Sequence, residues 1–390
     1  MSDSQPLAAH QNLIYREGRE GRLPTLPLAV EDLEHAAMEA ISPEAYGYVA
    51  GGAGSESTVL ANLEAFEKWR IVPRVLRDVS KRDLRCRVLN TEMPWPVMLA
   101  PIGVQSIVHP EGEKAVARAA RALGMPMCLS TASTSNIEEI AFILGDTPKW
   151  YQLYWPRDPR LAKSFLQRAE RAGYEAVVVT LDTKILAWRE RDLEYGYLPF
   201  LKGEGIGNYI SDPVFREGLE SPPEKDMAPA IRKWGTLFAE PAHTWADLAY
   251  LRECTKLPIV LKGIQHPEDA RLAVQHGMDG IVVSNHGGRQ VDGAIASLDT
   301  LPGIVDAVKG RMAVLFDSGI RRGADVFKAM AIGADAVLLG RPYMWALALG
   351  GQEGVEEYLR RFLADVDLTL ALSGHTSFKE VTRDALVAAE

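Results

Sequence analysis

Downstream of Pro73 the chain alternates between short apolar runs and stretches with helical spacing. Eight runs stand out, at 97–100, 127–130, 150–154, 176–180, 259–262, 281–284, 313–317 and 336–339. Their nearly unbroken aliphatic and β-branched character is what a strand buried on both faces requires. Amphipathic spacing fills the intervals, over 113–123, 137–144, 159–171, 267–276 and 324–332. Strand and helix in strict alternation predict an α/β protein with a parallel sheet, and eight such units predict a closed (β/α)8 TIM barrel. The competing architecture, a doubly wound sheet, normally carries GxGxxG after an early strand, and no such loop is present.

The first part of the chain reads differently. Residues 1 to about 28 are polar, with scattered Gly and Pro, and predict an arm. Apolar spacing then predicts helices over 31–40 and 44–50, interrupted at Pro43, and a further one over 55–69 with Ser55, Glu56 and Ser57 as capping residues. The run Gly51-Gly52-Ala53-Gly54 lacks both a preceding strand and a GK[ST] ending, so it reads as a helix stop and not as a phosphate loop. The organisation expected is an N-terminal arm and helices over 1–75, then a barrel over 76–390. One interval is too long for a single helix: from Leu181 to about Pro258 the fourth and fifth runs are separated by a segment containing Tyr195, Tyr197, Phe200, Tyr209 and Phe215. Long ordered excursions of this kind are usually functional, so 190–242 is expected to form a lid over the barrel mouth.

Composition narrows the classes. With 47% hydrophobic and 24% charged residues the 390-residue chain is of ordinary globular type. A formal net charge of -9 without a basic stripe argues against nucleic acid. Cys86, Cys128 and Cys254 are odd in number and form no CxxC pattern, so neither a disulfide framework nor a metal site is expected. No apolar run has the length of a membrane span, and a soluble, cytoplasmic protein is expected.

Active residues of a barrel belong at the carboxyl ends of its strands. Polar side chains collect there: Ser130 after the second run, Gln152 and Tyr154 in the third, Thr180 and Asp182 after the fourth, and Lys262 after the fifth. The sixth ends in Ser284-Asn285-His286-Gly287-Gly288-Arg289, setting a base and a cation about one turn apart. This suits proton removal from a small acid whose carboxylate Arg289 grips; a capping His beside a solvated Arg is the plainer alternative. The seventh and eighth ends, DSGIRRG and LGRP, offer Asp317, Gly319, Arg321, Gly340 and Arg341 as an anion site, where barrels often bind phosphate. Lys262 has two open roles, a Schiff base or the counter-charge to a cofactor that becomes anionic on reduction.

SNHGGRQ at 284–290, VLKGI at 260–264, YQLY at 151–154, VTLDT at 179–183 and the DSGIRRG/GRP pair resemble the FMN-dependent α-hydroxy acid oxidases and dehydrogenases, from about Tyr46 to the C-terminus. TLDTKILAWRERDLE and KGIQHPEDA resemble the lactate 2-monooxygenase branch of that family. The resemblance implies FMN, its phosphate on Gly319, Arg321, Gly340 and Arg341, with Asp317 near the ribityl chain. Gly103, Ser130, Gln152, Thr180 and Ser284 would surround the isoalloxazine, and Lys262 would face its N1/C2 edge. For substrate it implies Arg289 and Tyr48 on the carboxylate, Tyr154 on the 2-oxygen, and His286 as base with Asp182 behind it; Arg189 is either a second cation near the mouth or a plain surface ion pair. It implies L-lactate oxidised with O2, the keto acid being retained and converted to acetate, CO2 and water, or released with H2O2 as in an oxidase. Homotetramers or homo-octamers are implied as well. Ala132 stands where several relatives have a large aromatic, which points to a short aliphatic substrate, and Lys184 replaces a common proline.

Overall fold

The computed structural model describes residues 7–389. Its centre is a closed barrel of eight parallel strands: β1 (Val97–Leu99), β2 (Met127–Ser130), β3 (Lys149–Tyr154), β4 (Val177–Thr180), β5 (Ile259–Ile264), β6 (Gly280–Val283), β7 (Ala313–Phe316) and β8 (Ala336–Leu339). All eight fall within a residue or two of the apolar runs, as expected for strands that must be hydrophobic on both faces. One face of each strand points inward. Met98, Cys128, Trp150, Val178, Val260, Val282, Leu315 and Leu338 fill the interior, so the barrel is packed and not a pore. The hairpin Cys86–Val88/Thr91–Met93 closes its lower end, where Trp150 Nε1 donates to Thr91 Oγ1 at 2.8 Å.

Register sets the level of the functional side chains. Ser130 lies opposite Gln152, Tyr154 opposite Thr180, and Thr180 opposite Lys262. Pairing alone therefore brings the polar strand ends into one layer at the mouth.

The N-terminal segment is more structured than its polarity suggests. It contains α1 (Ala9–Gly18), while residues 1–6 of the expected arm lie outside the described residues. Next come α2 (Val30–Ala40), α3 (Pro43–Ala50) and α4 (Ser57–Glu67). Pro43 starts α3 and does not merely break a helix: it occupies the first turn, where no amide hydrogen is needed, and Ser42 Oγ caps Ala45 N at 3.3 Å. The cap expected for α4 also differs. Ser55 and Ser57 do not cap their own helix; both donate side-chain and backbone hydrogens to the Asp292 carboxylate, at 2.7–3.0 Å. A carboxylate from the loop after β6 thus does the capping, and the four donors hold its pKa well below the ordinary range. The long helix Arg341–Leu372 escapes periodicity because Gly350 and Gly351 leave helical angles within it.

Between β4 and β5 the excursion is fully folded. It carries short helices at Glu190–Glu194, Gly207–Ile210 and Pro213–Arg216 and a longer one at Ala228–Leu237, before Leu248–Cys254 returns to the barrel wall. A buried arginine pins it: Arg168 donates to Asn208 O at 2.9 Å and pairs with Asp212 at 3.1 Å and Glu138 at 2.7 Å. Asn208 Nδ2 reaches back to Ser130 O at 3.2 Å and Thr131 O at 3.0 Å. Of the five aromatic residues expected over the mouth, only Phe200 lines it. Tyr209 packs on Phe165 and Phe215 on the barrel flank, Tyr197 meets Tyr48 edge-on, and Tyr195 is 50% exposed. Among the described residues, no helix is long and apolar enough to cross a membrane.

Candidate active site

The turn after β6 is held in an unusual conformation. His286 has φ 59°, a left-handed value that a side chain disfavours, and Gly287 and Gly288 follow it at φ 64° and 78°. Three side-chain acceptors enforce it. Ser284 Oγ takes His286 N at 3.0 Å, Ser318 Oγ takes Gly287 N at 3.0 Å, and Asn285 Oδ1 takes Gly288 N at 3.0 Å. Asn285 is fixed in turn by a reciprocal amide pair with Asn62 of α4, at 2.7 and 2.8 Å. Strain of this kind, of order 1–3 kcal/mol, persists only where its surroundings over-determine it.

The strained turn aims an imidazole across the mouth. His286 Nδ1 lies 2.8 Å from Asp182 Oδ1, and Nε2 lies 3.4 Å from Tyr154 Oη. Burial holds the imidazole below its ordinary pKa of 6.5; Asp182 opposes this, while Lys262 and Arg189 add to it. For Asp182, burial raises the pKa, yet His286, Lys262 and Thr183 outweigh it and keep the carboxyl below its usual range. The pair is therefore a carboxylate beside a neutral imidazole whose Nε2 can take up a proton.

Lys262 reaches the same cleft from β5. Its Nζ pairs with Asp317 Oδ2 at 3.0 Å and donates to Ser284 Oγ at 2.8 Å. Burial disfavours the ammonium, but Asp317 and Asp182 outweigh it and raise the pKa. A lysine held charged in this way is no amine nucleophile, which sets aside the Schiff-base alternative. Asp317 is fully engaged, since its other oxygen accepts from Ser318 Oγ at 2.9 Å.

Four guanidinium groups surround one cleft with little compensating charge. Arg289 Nη1 donates to Tyr48 O and Gly51 O, both at 2.6 Å, and its group lies 5.1 Å from the Tyr48 ring centre. Among the described residues Arg341 donates only to carbonyls, those of Val49, Gly51 and Gly287, at 2.9–3.0 Å. Burial and then neighbouring arginines pull Arg289 down to about 10 and Arg341 to about 9. Arg321 is lowered too, by burial. Arg189 is buried and not a surface ion pair: it donates to Arg289 O at 3.1 Å and Gln290 Oε1 at 2.8 Å, with Asp192 at 3.9 Å. Arg289, Arg321 and Arg341, desolvated and with no carboxylate in pairing distance among the described residues, make a site for anions.

The cleft brings together Tyr48, Gly103, Tyr154, Thr180, Arg189, Lys262, His286, Arg289, Asp317, Gly319, Arg321, Gly340 and Arg341. Asp182 stands behind His286. Ser130, Gln152 and Ser284 do not line it; they are buried one layer back, where Ser130 Oγ donates to Gln152 Oε1 at 2.9 Å and Gln152 Nε2 to Thr180 Oγ1 at 2.9 Å. Gly103 has a local reason for its size, since a Cβ there would stand 2.6 Å from the Ala132 Cβ. Gly319, at φ 96°, would bring a Cβ within 2.5 Å of Asn62 O.

Some lining residues gave no sequence signal. Leu186 and Phe238 wall the cleft from opposite ends of the excursion, and the Phe238 ring packs 5.4 Å from that of Tyr154. Thr183 was legible only as the neighbour of Asp182; its hydroxyl donates to Asp182 Oδ1 at 3.0 Å and lies 3.3 Å from His286 Nδ1.

An L-lactate oxidase of Lysinibacillus sphaericus is 45% identical over 361 residues, 93% of this chain and 93% of that protein. An FMN-dependent alpha-hydroxy acid dehydrogenase of Penicillium citrinum is 44% identical over 382 residues, 97% of this chain and 95% of the relative. Among solved structures, mandelate oxidase superimposes with a TM-score of 0.82 at 40% identity, covering 93% of this chain and 98% of that one. The pattern of the FMN-dependent dehydrogenase family matches residues 37–388, so the chain belongs to that family and is an FMN-dependent 2-hydroxy acid oxidoreductase.

Proposed function

We propose that the protein oxidises L-lactate with O2 and retains the keto acid until it is decarboxylated, in the sum lactate + O2 → acetate + CO2 + H2O. The observation that carries this reading is the convergence of His286 Nε2, Tyr154 Oη and Arg289 on one cleft beneath a braced excursion.

The cleft fits FMN by the chemistry of its donors. Arg321 and Arg341 are half-buried cations without a carboxylate partner among the described residues, as a phosphate dianion requires. Gly340 leaves open space, its nearest neighbour to a Cβ being Ile102 Cδ1 at 3.9 Å. In this reading Gly319, Arg321, Gly340 and Arg341 hold the phosphate, Gly103 and Thr180 border the ring, and Ser130, Gln152 and Ser284 support it from behind. When bound, FMN supplies the two-electron acceptor and the place where O2 is reduced.

The chain's own residues do the rest. Arg289 orients the substrate carboxylate through its Nε and Nη2, which meet no acceptor among the described residues, with Tyr48 and Arg189 alongside. Tyr154 donates to the 2-oxygen. His286 Nε2 takes a proton from the substrate, and the imidazolium that results is stabilised by Asp182 at 2.8 Å. Lys262 places positive charge where negative charge develops during the reaction. Leu186, Phe200 and Phe238 exclude water and leave room for a short side chain above Ala132.

Anaerobic mixing with L-lactate, followed by admission of air, tests the reading. One acetate and one CO2 per lactate, with little peroxide, is the expected result; stoichiometric pyruvate and H2O2 would overturn it. That outcome is the second reading, favoured by the L-lactate oxidase relative at 45% identity.

A further inference from the structure

We propose that Thr183 is a positioning residue for the proton transfer: its side chain selects the tautomer of His286 and fixes the direction in which Nε2 points. The proposal rests on the reading of His286 as the base.

Its geometry is specific. Thr183 has one hydroxyl hydrogen, which goes to Asp182 Oδ1 at 3.0 Å. Toward His286 Nδ1, 3.3 Å away, the same oxygen can then offer only a lone pair. Nδ1 thus faces two acceptors, Thr183 Oγ1 and Asp182 Oδ1, and must carry the ring proton. Nε2 is left unprotonated, facing Tyr154 and the cleft.

Asp182 has little else to hold it. Both of its side-chain contacts fall on Oδ1, while Oδ2 is buried and meets no donor among the described residues. Oδ2 lies against the backbone of Gly263, where a Cβ would come within 2.8 Å of it. Gln290 Nε2 donates to the Asp182 carbonyl at 2.7 Å and fixes the main chain but not the carboxylate. Without the Thr183 hydroxyl, the carboxylate torsion is set by the histidine alone, the group it has to orient.

Charge follows from the same contact. The groups facing His286 are Asp182, Lys262, Arg189 and the Tyr154 phenol, with Arg289 in the same cleft. Apart from His286 itself, Thr183 is the only donor to the Asp182 carboxylate among the described residues, and it draws negative charge away from Oδ1. Removing it leaves a carboxylate that stabilises imidazolium more strongly, so the base protonates at higher pH.

The test compares Thr183→Val, of nearly the same shape, with Thr183→Ser, which keeps the hydroxyl. Flavin bleaching is followed without oxygen, across pH, with whichever short 2-hydroxy acid reduces the wild-type holoenzyme fastest. Thr183→Val should reduce that rate about threefold to tenfold, the loss expected for one hydrogen bond, and move the acid limb of the profile to higher pH. Thr183→Ser should restore both. An unmoved acid limb in Thr183→Val, or a Thr183→Ser enzyme as impaired as Thr183→Val, overturns the proposal. Bound flavin, read from absorbance, separates positioning from packing: a rate loss that only tracks lost flavin also overturns it. His286→Asn is measured in parallel. If that variant still bleaches at the wild-type rate, the base assignment itself is wrong, a failure distinct from that of Thr183.

Discussion

At Arg289 a side chain rich in donors spends only one nitrogen on the protein, and this defines what it can recognise. Nη1 is held by two carbonyls at 2.6 Å, so the remaining edge of the fork is fixed in direction before any ligand arrives. Lysine cannot reproduce that edge. Arg289→Lys should therefore lower kcat/KM by about tenfold to a hundredfold, the range for a charge-assisted hydrogen bond, mainly through KM; steady-state kinetics on L-lactate checks this. His286 gives a second expectation. Burial depresses its pKa below 6.5, so the free enzyme carries a neutral, competent base above that value and loses it as pH falls through the lowered pKa. The acid limb of kcat/KM should therefore lie below pH 6.5, and a limb above it would contradict the depressed value.

Elements decide how much of this could be read in advance. The barrel strands were legible because burial on both faces leaves no freedom for polar residues, as in Val177–Thr180 or Ala336–Leu339. The strand-end chemistry was legible for the same reason: a polar residue closing such a run, like Lys262 or Asp317, has few structural uses. Contacts made across long sequence separations were not legible. Phe238 caps the end of the helix Ala228–Leu237, and its partner Tyr154 ends the distant strand β3; Asp292 looks like a loop residue until Ser55 and Ser57 reach it. The excursion is also fastened beside Tyr154. Arg157 N donates to Leu237 O at 2.9 Å, His243 stacks on Trp155 at 4.0 Å, and Lys184 Nζ reaches His243 O at 2.6 Å. If retention of pyruvate depends on that fastening, Phe238→Ala should raise the fraction of turnovers ending in pyruvate and H2O2 several-fold, while anaerobic flavin bleaching changes less. Product ratios from one aerobic experiment decide it.

For the whole molecule, the N-terminal helices and the barrel share one core. Arg82 of the linking segment pairs with Asp367 in the C-terminal helix, Arg361 donates to Leu26 O at 2.8 Å, and Asn62 locks the β6 turn. Asn62→Ala leaves the Asn285 amide without its buried partner and should lower unfolding stability by about 1–3 kcal/mol, measured by urea titration of the holoprotein. Arg341→Ala should weaken FMN retention. Because a ligand bound only to the native state adds about 2.7 kcal/mol at a hundredfold excess over Kd, stripping FMN should lower the wild-type Tm markedly, and adding it back should restore less in the variant.

One minor feature bears on how the protein is made. The strand Trp69–Ile71 pairs antiparallel with Leu386–Ala388 near the opposite terminus, register Trp69 to Ala388. The first of these strands therefore waits for a partner made more than three hundred residues later. The small sheet outside the barrel is in consequence among the last pairings that synthesis permits, joined after all eight barrel strands have been made.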